Sequence, residues 1–269
     1  MSLRVNPDVD PRTHPYVATG LRQSKFGVAC DEARRLYQKA GSMPSLRVIG
    51  IDFHIGSQLT EIEPFVAALD KVLEFVDALG AAGTTLQHID LGGGLGIRYR
   101  DDRPPAVADY LARLFRQIGD RKLQVLIEPG RALVGNSGLL LTRVEYLKHG
   151  PAKNFAVTDA AMNDLLRPAL YDAWHDVLPV TRRDSKTVLY DVVGPVCESA
   201  DFLARDRPLA LASGDLLAVM SAGAYGMSMS SNYNSRPRPA EVMVDAGAMH
   251  LIRERESTQS LFASERLLP

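Results

Sequence analysis

The chain has 269 residues, of which 46% are hydrophobic, and its formal net charge is −1 at pH 7. This length supports a large core in one or two domains, and the balanced charge argues against nucleic-acid binding and against a polybasic membrane patch. The start lacks the apolar core of a signal peptide, no apolar run is long enough to cross a bilayer, and two cysteines do not form a disulfide framework. We therefore predict a cytoplasmic protein without membrane or nucleic-acid partners.

Four strand–loop–helix units are predicted in the first 135 residues. Short apolar runs predict strands at 3–5, 47–55, 86–91 and 125–127, and we expect the last to be buried on both faces. Helices are predicted at 31–40, 64–80 and 107–118, and a loop at 6–20. The second helix has apolar residues at every third or fourth position and begins at Pro64, and the third has an apolar face from Val107 to Ile118.

Residues suited to a binding site follow each of these strands. They are Asn6, then His54, Gly56 and Ser57, then Gly92 to Gly94, and finally Glu128 to Arg131. Chemistry at the carboxyl ends of parallel strands is typical of a (β/α) barrel. A complete barrel has eight strands, so four strands predict half of one. We expect the strands at 3–5 and 125–127 to be open edges.

Beyond residue 135 the pattern changes to short strands with little helical periodicity. Strands are predicted at 139–146, 154–158, 187–193, 215–220 and 242–244. We therefore divide the chain into a partial barrel at 1–135, a β-rich domain at 136–245 and a C-terminal segment at 246–269. A closing helix is predicted at 260–268, and we expect this segment to pack back on the barrel.

Several common motifs are incomplete. The glycine run at 92–96 lacks the spacing of a dinucleotide-binding GxGxxG sequence, and residues 136–138 lack the GxSxG pattern of a nucleophile elbow. The six histidines show no metal-ligand spacing, so no metal site is predicted.

The residues at the strand ends instead suit pyridoxal phosphate. Glycine N–H groups and the Ser57 hydroxyl can hold a phosphate. His54 offers a flat ring for stacking, and Glu128 can pair with a pyridinium nitrogen.

The sequence resembles the alanine-racemase-fold family of pyridoxal-phosphate-dependent decarboxylases, and within it the branch that acts on meso-2,6-diaminoheptanedioate. Matching stretches occur in the family's order along nearly the whole chain: RVNPDVD (4–10), KFGV (25–28), HIGSQ (54–58), LGGGLGI (91–97), EPGRALV (128–134), LRPALY (166–171), GPVCESAD (194–201) and SAGAYGMSMSSNYNSRPRP (221–239). The resemblance implies an α/β fold, namely the C-terminal half of a (β/α)8 TIM-type barrel followed by a β-rich, sandwich or Greek-key-like domain. It also implies pyridoxal 5′-phosphate as cofactor and a homodimer with shared active sites.

The resemblance further implies roles for individual residues. His54 would stack on the cofactor ring and Glu128 would keep the pyridine nitrogen protonated. Cys197 would be the catalytic proton donor, acting with Glu198 in the active site of the neighbouring subunit. The residues around the cofactor phosphate would be Ser57, Gly93, Gly94, Gly130 and Arg131. The residues that bind the substrate would be Arg131, Arg167 and Tyr171 at the distal carboxylate, Glu198 at the distal amino group, and Tyr225, which would also contact the cofactor.

These residues also have structural interpretations. Cys197 taken alone is typical of an inert buried thiol. Arg167 and Tyr171 fit the cap and packing residue of a short helix, and Tyr225 among small residues fits a core aromatic. The functional interpretation rests on their occurrence as a set.

The family's cofactor lysine precedes the RVNP segment, and no lysine of this chain has that sequence context. The lysines are Lys25, Lys39, Lys71, Lys122, Lys148, Lys153 and Lys186. We therefore expect the chain to correspond to the later part of such an enzyme and to be inactive alone.

The expected reaction is decarboxylation of meso-2,6-diaminoheptanedioate to L-lysine and CO2. Arg131, Arg167 and Glu198 favour a substrate with a second carboxylate and a second amino group. The alternatives are a decarboxylase of ornithine, arginine or carboxynorspermidine, and a non-catalytic subunit that binds a full-length homologue.

Overall fold

The computed structural model describes residues 1–10, 19–20 and 24–268. It divides the chain into two compact units, Met1–Leu133 and Val134–Pro269. Residues 11–18 of the predicted loop lie outside the described residues. Within the described part of the chain, no helix combines the length and the apolar character needed to span a bilayer.

The first unit is built on five parallel strands in the order β2-β1-β3-β4-β5. The strands are β1 Ser2–Asn6, β2 Val28–Ala29, β3 Gly50–Asp52, β4 His88–Asp90 and β5 Gln124–Leu126. The helices are α1 Cys30–Gly41, α2 Glu63–Ala81, α3 Val107–Ile118 and α4 Arg131–Val134. Parallel neighbours need long crossover connections, which helices supply here, so the fold is α/β, as predicted.

Helix α2 buries the apolar face that the sequence predicts. Phe65, Leu69, Val72, Val76 and Leu79 are all buried in one cluster with strand residues. Burial of a side chain of this size contributes about 1.5–3 kcal/mol to folding. Helix α3 buries its apolar face as well, but Val107 is 55% exposed because it is the first residue of the helix.

Three expectations about this sheet are wrong, namely its number of strands, the edge position of β1 and the burial of β5, whereas β5 is an edge strand as predicted. The sheet has a fifth strand, β2, whose two residues are too few to show a pattern in the sequence. Because β2 pairs with β1, the edge strands are β2 and β5, and β1 is an inner strand. Strand β5 is not buried on both faces, since Leu126 is 37% exposed, and Ile127, the residue after the strand, is 41% exposed. The core lies on the other face of β5, where Val125 packs.

The second unit contains a six-stranded sheet in the order β10-β9-β7-β6-β11-β8. Strands β7 and β9 are parallel, and the other neighbours are antiparallel. The strands are β6 Leu140–His149, β7 Asn154–Thr158, β8 Val177–Pro179, β9 Val188–Val193, β10 Phe202–Leu209 and β11 Leu216–Val219. Four of the five strands predicted beyond residue 135 correspond to β6, β7, β9 and β11, and the fifth, at 242–244, lies in the hairpin described next. The sequence predicts no strand at β8 or β10.

A two-stranded hairpin and two short helices complete the second unit. The hairpin consists of β12 Glu241–Asp245 and β13 Ala248–Arg253, and the helices are α5 Arg167–Tyr171 and α6 Thr258–Phe262. Helix α6 replaces the helix predicted at 260–268. It begins earlier because the Ser257 side chain accepts the Ser260 N–H as an N-cap, at 3.1 Å.

Candidate functional site

A row of charged side chains crosses the first sheet on the face opposite its hydrophobic core. Successive strand residues point to opposite faces, and Ile51 and Ile89 lie in the core. Their neighbours Arg4, Asp52 and Asp90 therefore share the other face, where the strand register places them side by side. We call these three residues the charged row.

Asp52 has the most perturbed carboxyl of this row. Its pKa is raised to about 6, mainly by burial, with a lowering effect of the positive charge of Arg4 and smaller raising effects of the negative charges of Asp90 and Glu128. Glu128 follows β5, so its carboxylate interacts electrostatically with the charged row. The row thus reaches the strand ends at which the sequence predicts a site.

The glycine loop at 92–94 is fixed by hydrogen bonds to the ends of three strands. The Gly92 N–H donates to Asp90 Oδ1 at 2.9 Å, and the Gly92 carbonyl accepts the Glu128 N–H at 2.8 Å. The Gly93 N–H donates to His54 Nδ1 at 3.1 Å. The loop therefore links the carboxyl ends of β3, β4 and β5.

His54 is held as a neutral ring. Because Nδ1 accepts the Gly93 N–H, the ring proton lies on Nε2. Burial lowers the pKa of His54, and the charge of Arg4 lowers it further, against a smaller opposing effect of Asp90. The Arg4 guanidinium also donates to the His54 carbonyl at 3.3 Å. A neutral imidazole at neutral pH suits stacking on an aromatic ring.

The Arg131 guanidinium is buried and held by two hydroxyl groups. Arg131 is 7% exposed, its Nη2 donates to Ser57 Oγ at 3.0 Å, and its Nη1 donates to the Tyr99 hydroxyl at 2.5 Å. These bonds connect the segments that follow β3, β4 and β5. The sequence does not predict the contact with Tyr99, because its loop position carries no periodic signal.

Two backbone N–H groups at these strand ends are available to a ligand. Across the ranges that the structure describes, the N–H groups of Gly94 and Gly130 donate to no residue. A Cβ placed on Gly130 would have no heavy atom within 4 Å, and Glu128 is exposed. Together with the adjacent Arg131 guanidinium, these donors suit an anion such as phosphate.

In the second unit, the loop that carries Cys197 and Glu198 is anchored by a buried carboxylate. Asp201 is 4% exposed, and its two oxygens accept the N–H groups of Met162 and Val196 at 2.7 Å each. Burial raises the pKa of Asp201, and these two hydrogen bonds lower it. Cys197 is exposed, so the buried-thiol interpretation does not apply.

Arg167 and Tyr171 begin and end helix α5. Arg167 is 6% exposed, and its Nη1 lies 2.8 Å from Nε2 of His175, which is fully buried. An arginine only donates, so this nitrogen of His175 accepts, and Nδ1 donates to the Met220 carbonyl at 2.8 Å. Positions four apart share one helix face, so Arg167 and Tyr171 lie on the same side of α5.

Tyr225 has a backbone conformation that L residues rarely adopt. Its φ is +61°, in the left-handed region, and its side chain is 41% exposed. The core-aromatic interpretation therefore does not apply. A bulky residue held at positive φ is a mark of functional sites, where the surrounding structure compensates for the strain.

The strain at Tyr225 predicts an order of stability for two variants. Both Tyr225→Ala and Tyr225→Gly lose the ring, but only glycine adopts positive φ without cost, so we expect Tyr225→Ala to be less stable by about 1 kcal/mol. The single tryptophan, Trp174, reports unfolding of this unit by fluorescence in denaturant. At Tyr146 in β6 the order should reverse, with Ala more stable than Gly. The same order at both positions would contradict the prediction.

The structure thus places the predicted site residues in two groups. In the first unit, the ends of β3, β4 and β5 bring together His54, Ser57, Gly93, Gly94, Glu128, Gly130 and Arg131. In the second unit, α5 and two loops carry Arg167, Tyr171, Cys197, Glu198 and Tyr225. The sequence predicts no role for six further residues, namely Arg4, Asp52, Asp90, Tyr99, Asp201 and Tyr233. Alternation along the strands would have revealed the charged row, whereas the other three residues carry no local signal.

Comparison with known proteins gives consistent matches. Residues 1–135 match a family model described as the pyridoxal binding domain of pyridoxal-dependent decarboxylases. A diaminopimelate decarboxylase of Pseudomonas aeruginosa is 58% identical over 269 residues, which cover 100% of this chain and 65% of that protein. One of Vibrio cholerae is 55% identical over 270 residues, with the same two coverages.

Solved structures show the same relationship. A crystal structure of diaminopimelate decarboxylase from Helicobacter pylori, complexed with L-lysine, superposes with a TM-score of 0.94 at 40% sequence identity. The match covers 98% of this chain and 66% of that one. The chain therefore spans slightly less than two thirds of the length of the relatives that it matches.

Proposed function

Because the chain belongs to the pyridoxal-dependent decarboxylase family, we propose that the protein containing it converts meso-2,6-diaminoheptanedioate to L-lysine and CO2. The observation that carries this proposal is the 58% identity, over the entire chain, to a protein named diaminopimelate decarboxylase. The L-lysine in the Helicobacter pylori structure is the product that this reaction would release.

The finer architecture is part of the proposal. We assign residues 1–135 to the C-terminal part of a (β/α)8 barrel, with five strands where the expected half would have four, residues 136–245 to a β-rich domain, and residues 246–269 to a C-terminal segment. The parallel strands β1 to β5 and the antiparallel sheet of the second unit support the first two assignments. Packing of the last segment on the barrel remains part of the proposal.

The cofactor would be pyridoxal 5′-phosphate, and the residues of the first unit fit it. The available N–H groups of Gly94 and Gly130 and the Arg131 guanidinium would receive the phosphate, with Ser57 and Gly93 at its approach. The neutral His54 ring would stack on the pyridine ring. Glu128, exposed beside the glycine loop, would hold a proton on the pyridine nitrogen. When bound, the cofactor accepts the electron pair left by the departing CO2.

We propose roles in substrate binding for five residues. Arg131, Arg167 and Tyr171 would bind the distal carboxylate, since guanidinium groups match carboxylates in geometry and charge. Glu198 would bind the distal ammonium group, and Tyr225 would contact substrate and cofactor. The buried guanidinium of Arg167 and the strained backbone of Tyr225 support roles beyond packing.

Cys197 would return a proton to the carbon that loses CO2. Its exposed thiol is compatible with transfer to a bound molecule. We further propose a homodimer in which Cys197 and Glu198 serve the active site of the neighbouring subunit. In such an enzyme neither subunit would have a complete site alone.

The proposal is tested with the 269-residue chain and with a chimera. The chimera adds the part of the Pseudomonas aeruginosa relative that this chain does not match. We expect the chimera to release CO2 from meso-2,6-diaminoheptanedioate and not from ornithine. We expect the chain alone to bind the cofactor weakly and to show negligible turnover, because the tethering lysine is expected outside it. Turnover of ornithine without turnover of diaminoheptanedioate would reject the proposed substrate.

Reduction with borohydride locates the lysine that holds the cofactor. After incubation with pyridoxal phosphate, tryptic peptides of the chain alone should carry no stoichiometric pyridoxyl group. A stoichiometric adduct on one lysine, with Lys25 the first to inspect, together with turnover, would identify the chain as a complete enzyme. Mixing the chain with a homologue that carries Cys→Ala at the donor position tests the alternative of a non-catalytic subunit, which requires rescue of activity.

A further inference from the structure

The backbone around Glu198 is fixed, but its side chain extends into solvent. The Glu198 N–H donates to the Val196 carbonyl at 2.8 Å, and its carbonyl accepts the Asp201 N–H at 3.1 Å. With Asp201 anchored as described above, the Cα of Glu198 has a defined position. The side chain has three rotatable bonds, so its carboxylate needs a partner of its own to be oriented.

Tyr233 is that partner. Its hydroxyl donates to Glu198 Oε2 at 2.5 Å, across 35 positions in the sequence. No other described residue donates to this carboxylate. The hydrogen bond to Glu198 and the negative charge of Glu198 raise the pKa of Tyr233, with a smaller effect from nearby Cys197. The second oxygen, Oε1, therefore stays available to an external cation.

The segment that presents Tyr233 is anchored independently of Glu198. The Tyr233 N–H donates to Ser231 Oγ at 3.3 Å, and the neighbouring Asn232 side chain donates to Glu256 at 2.6 Å. On the other side, Arg236 Nε donates to Asn163 Oδ1 at 2.8 Å. The tyrosine ring thus projects from a short 3₁₀ turn, Tyr233–Ser235, that is held at both ends.

We propose that Tyr233 is a positioning residue that aims the Glu198 carboxylate at the distal ammonium group of the substrate and thereby favours substrates with a second amino group. This inference rests on the proposed function, which assigns the distal amino group to Glu198. A hydroxyl donor leaves the carboxylate its full negative charge, and it restricts the rotamers in which Oε1 can accept. Tyr233 itself takes no part in the chemical step.

Kinetics of the chimera with two substrates test the specificity role. For Tyr233→Phe we expect KM for meso-2,6-diaminoheptanedioate to rise roughly fivefold while kcat changes less than about twofold, since the lost hydrogen bond acts on binding. The KM for 2-aminoheptanedioate, which lacks the distal amino group, should not change. In the Glu198→Gln background, Tyr233→Phe should have no further effect. Tyr146→Phe, on the exposed face of β6, is the control.

The outcomes separate the inference from the proposed function. An inactive wild-type chimera would overturn both. An active wild type with an unchanged KM in Tyr233→Phe, or with equal losses on the two substrates, would overturn the positioning role alone.

The hydrogen bond is also testable without turnover. In the chain labelled with ¹³C at the tyrosine ring carbon that bears the hydroxyl, the resonance lost in Tyr233→Phe identifies Tyr233. The pKa of Tyr233 should lie above the ordinary pKa of tyrosine. Glu198→Gln should lower this pKa, because it removes the negative charge that stabilises the protonated phenol. A titration of Tyr233 that Glu198→Gln leaves unchanged would contradict the proposal.

Discussion

Asp201→Ala is expected to lower the free energy of unfolding of the second unit by about 3 kcal/mol. The substitution leaves the Met162 and Val196 N–H groups buried without an acceptor, and it removes two hydrogen bonds to a charged group. Fluorescence of Trp174 in a denaturant titration reports this unit alone. The Cys197 thiol should also react faster with a thiol reagent, since the loop around it loses its anchor.

Asp184→Ala is the control for this prediction, because Asp184 is exposed in the same unit. It should change the free energy of unfolding by less than about 0.5 kcal/mol. If Asp201→Ala lowered the free energy of unfolding no more than the control does, water would replace the carboxylate as hydrogen-bond acceptor without cost.

Asp52→Asn is expected to stabilise the first unit at neutral pH by about 2 kcal/mol, a value discounted for partial exposure of the carboxyl. The folded-state pKa of Asp52, about 6, lies above the ordinary aspartate pKa of 3.8. Between these values the folded protein keeps a proton that the unfolded chain has released. The free energy of unfolding of the wild type therefore falls as pH rises through this window, and it levels off above pH 6. Asparagine does not titrate, so the variant lacks this fall.

Hydrogen exchange of the α2 amides measures the stability of the first unit across pH 4–7. The free energies of unfolding of wild type and Asp52→Asn should be equal near pH 4 and differ increasingly toward pH 7, where the variant should be more stable. Glu74→Gln, on the exposed side of α2, should follow the wild type. A variant less stable than the wild type at pH 7 would mean that attraction between Asp52 and Arg4 outweighs the cost of burial.

The sequence predicts best those parts of the molecule that repeat locally. Helix α2 was predicted to within one residue at each end, because five apolar positions recur at helical spacing. The candidate site residues of the first unit stand out in the sequence because each follows an apolar run. In both cases the signal lies within about twenty residues of chain.

The sequence does not predict strands that lack an alternating apolar pattern or a recognisable turn beside them. Strand β10 contains Arg205, Asp206, Arg207 and Pro208, and it is an edge strand with a bulge at Asp206, whose φ is +54°. Strand β13 follows a two-residue turn in which Ala246 as well as Gly247 has positive φ. Alanine is uncommon at such a position, so the turn has no sequence signature.

The site residues that were missed depend on contacts across long stretches of chain. Tyr99 reaches Arg131 across 32 positions, and Asp201 reaches Met162 across 39. Neither pairing follows from spacing, because the fold decides which loops meet. The charged row differs, since it follows from strand alternation once the register is known.

The glycines of the first unit fall under two kinds of constraint, and the difference affects how this chain can change by mutation and drift. A Cβ on Gly93 or Gly94 would lie 2.2 Å from a backbone carbonyl oxygen, that of Glu128 or Gly56. Packing alone therefore forbids substitution at both positions. A Cβ on Gly130 meets no heavy atom of the described residues within 4 Å, so their packing leaves room for a side chain there. In a lineage that lost the cofactor, the LGGG sequence would persist because the packing around it leaves no room for side chains. Position 130 would be the first to vary.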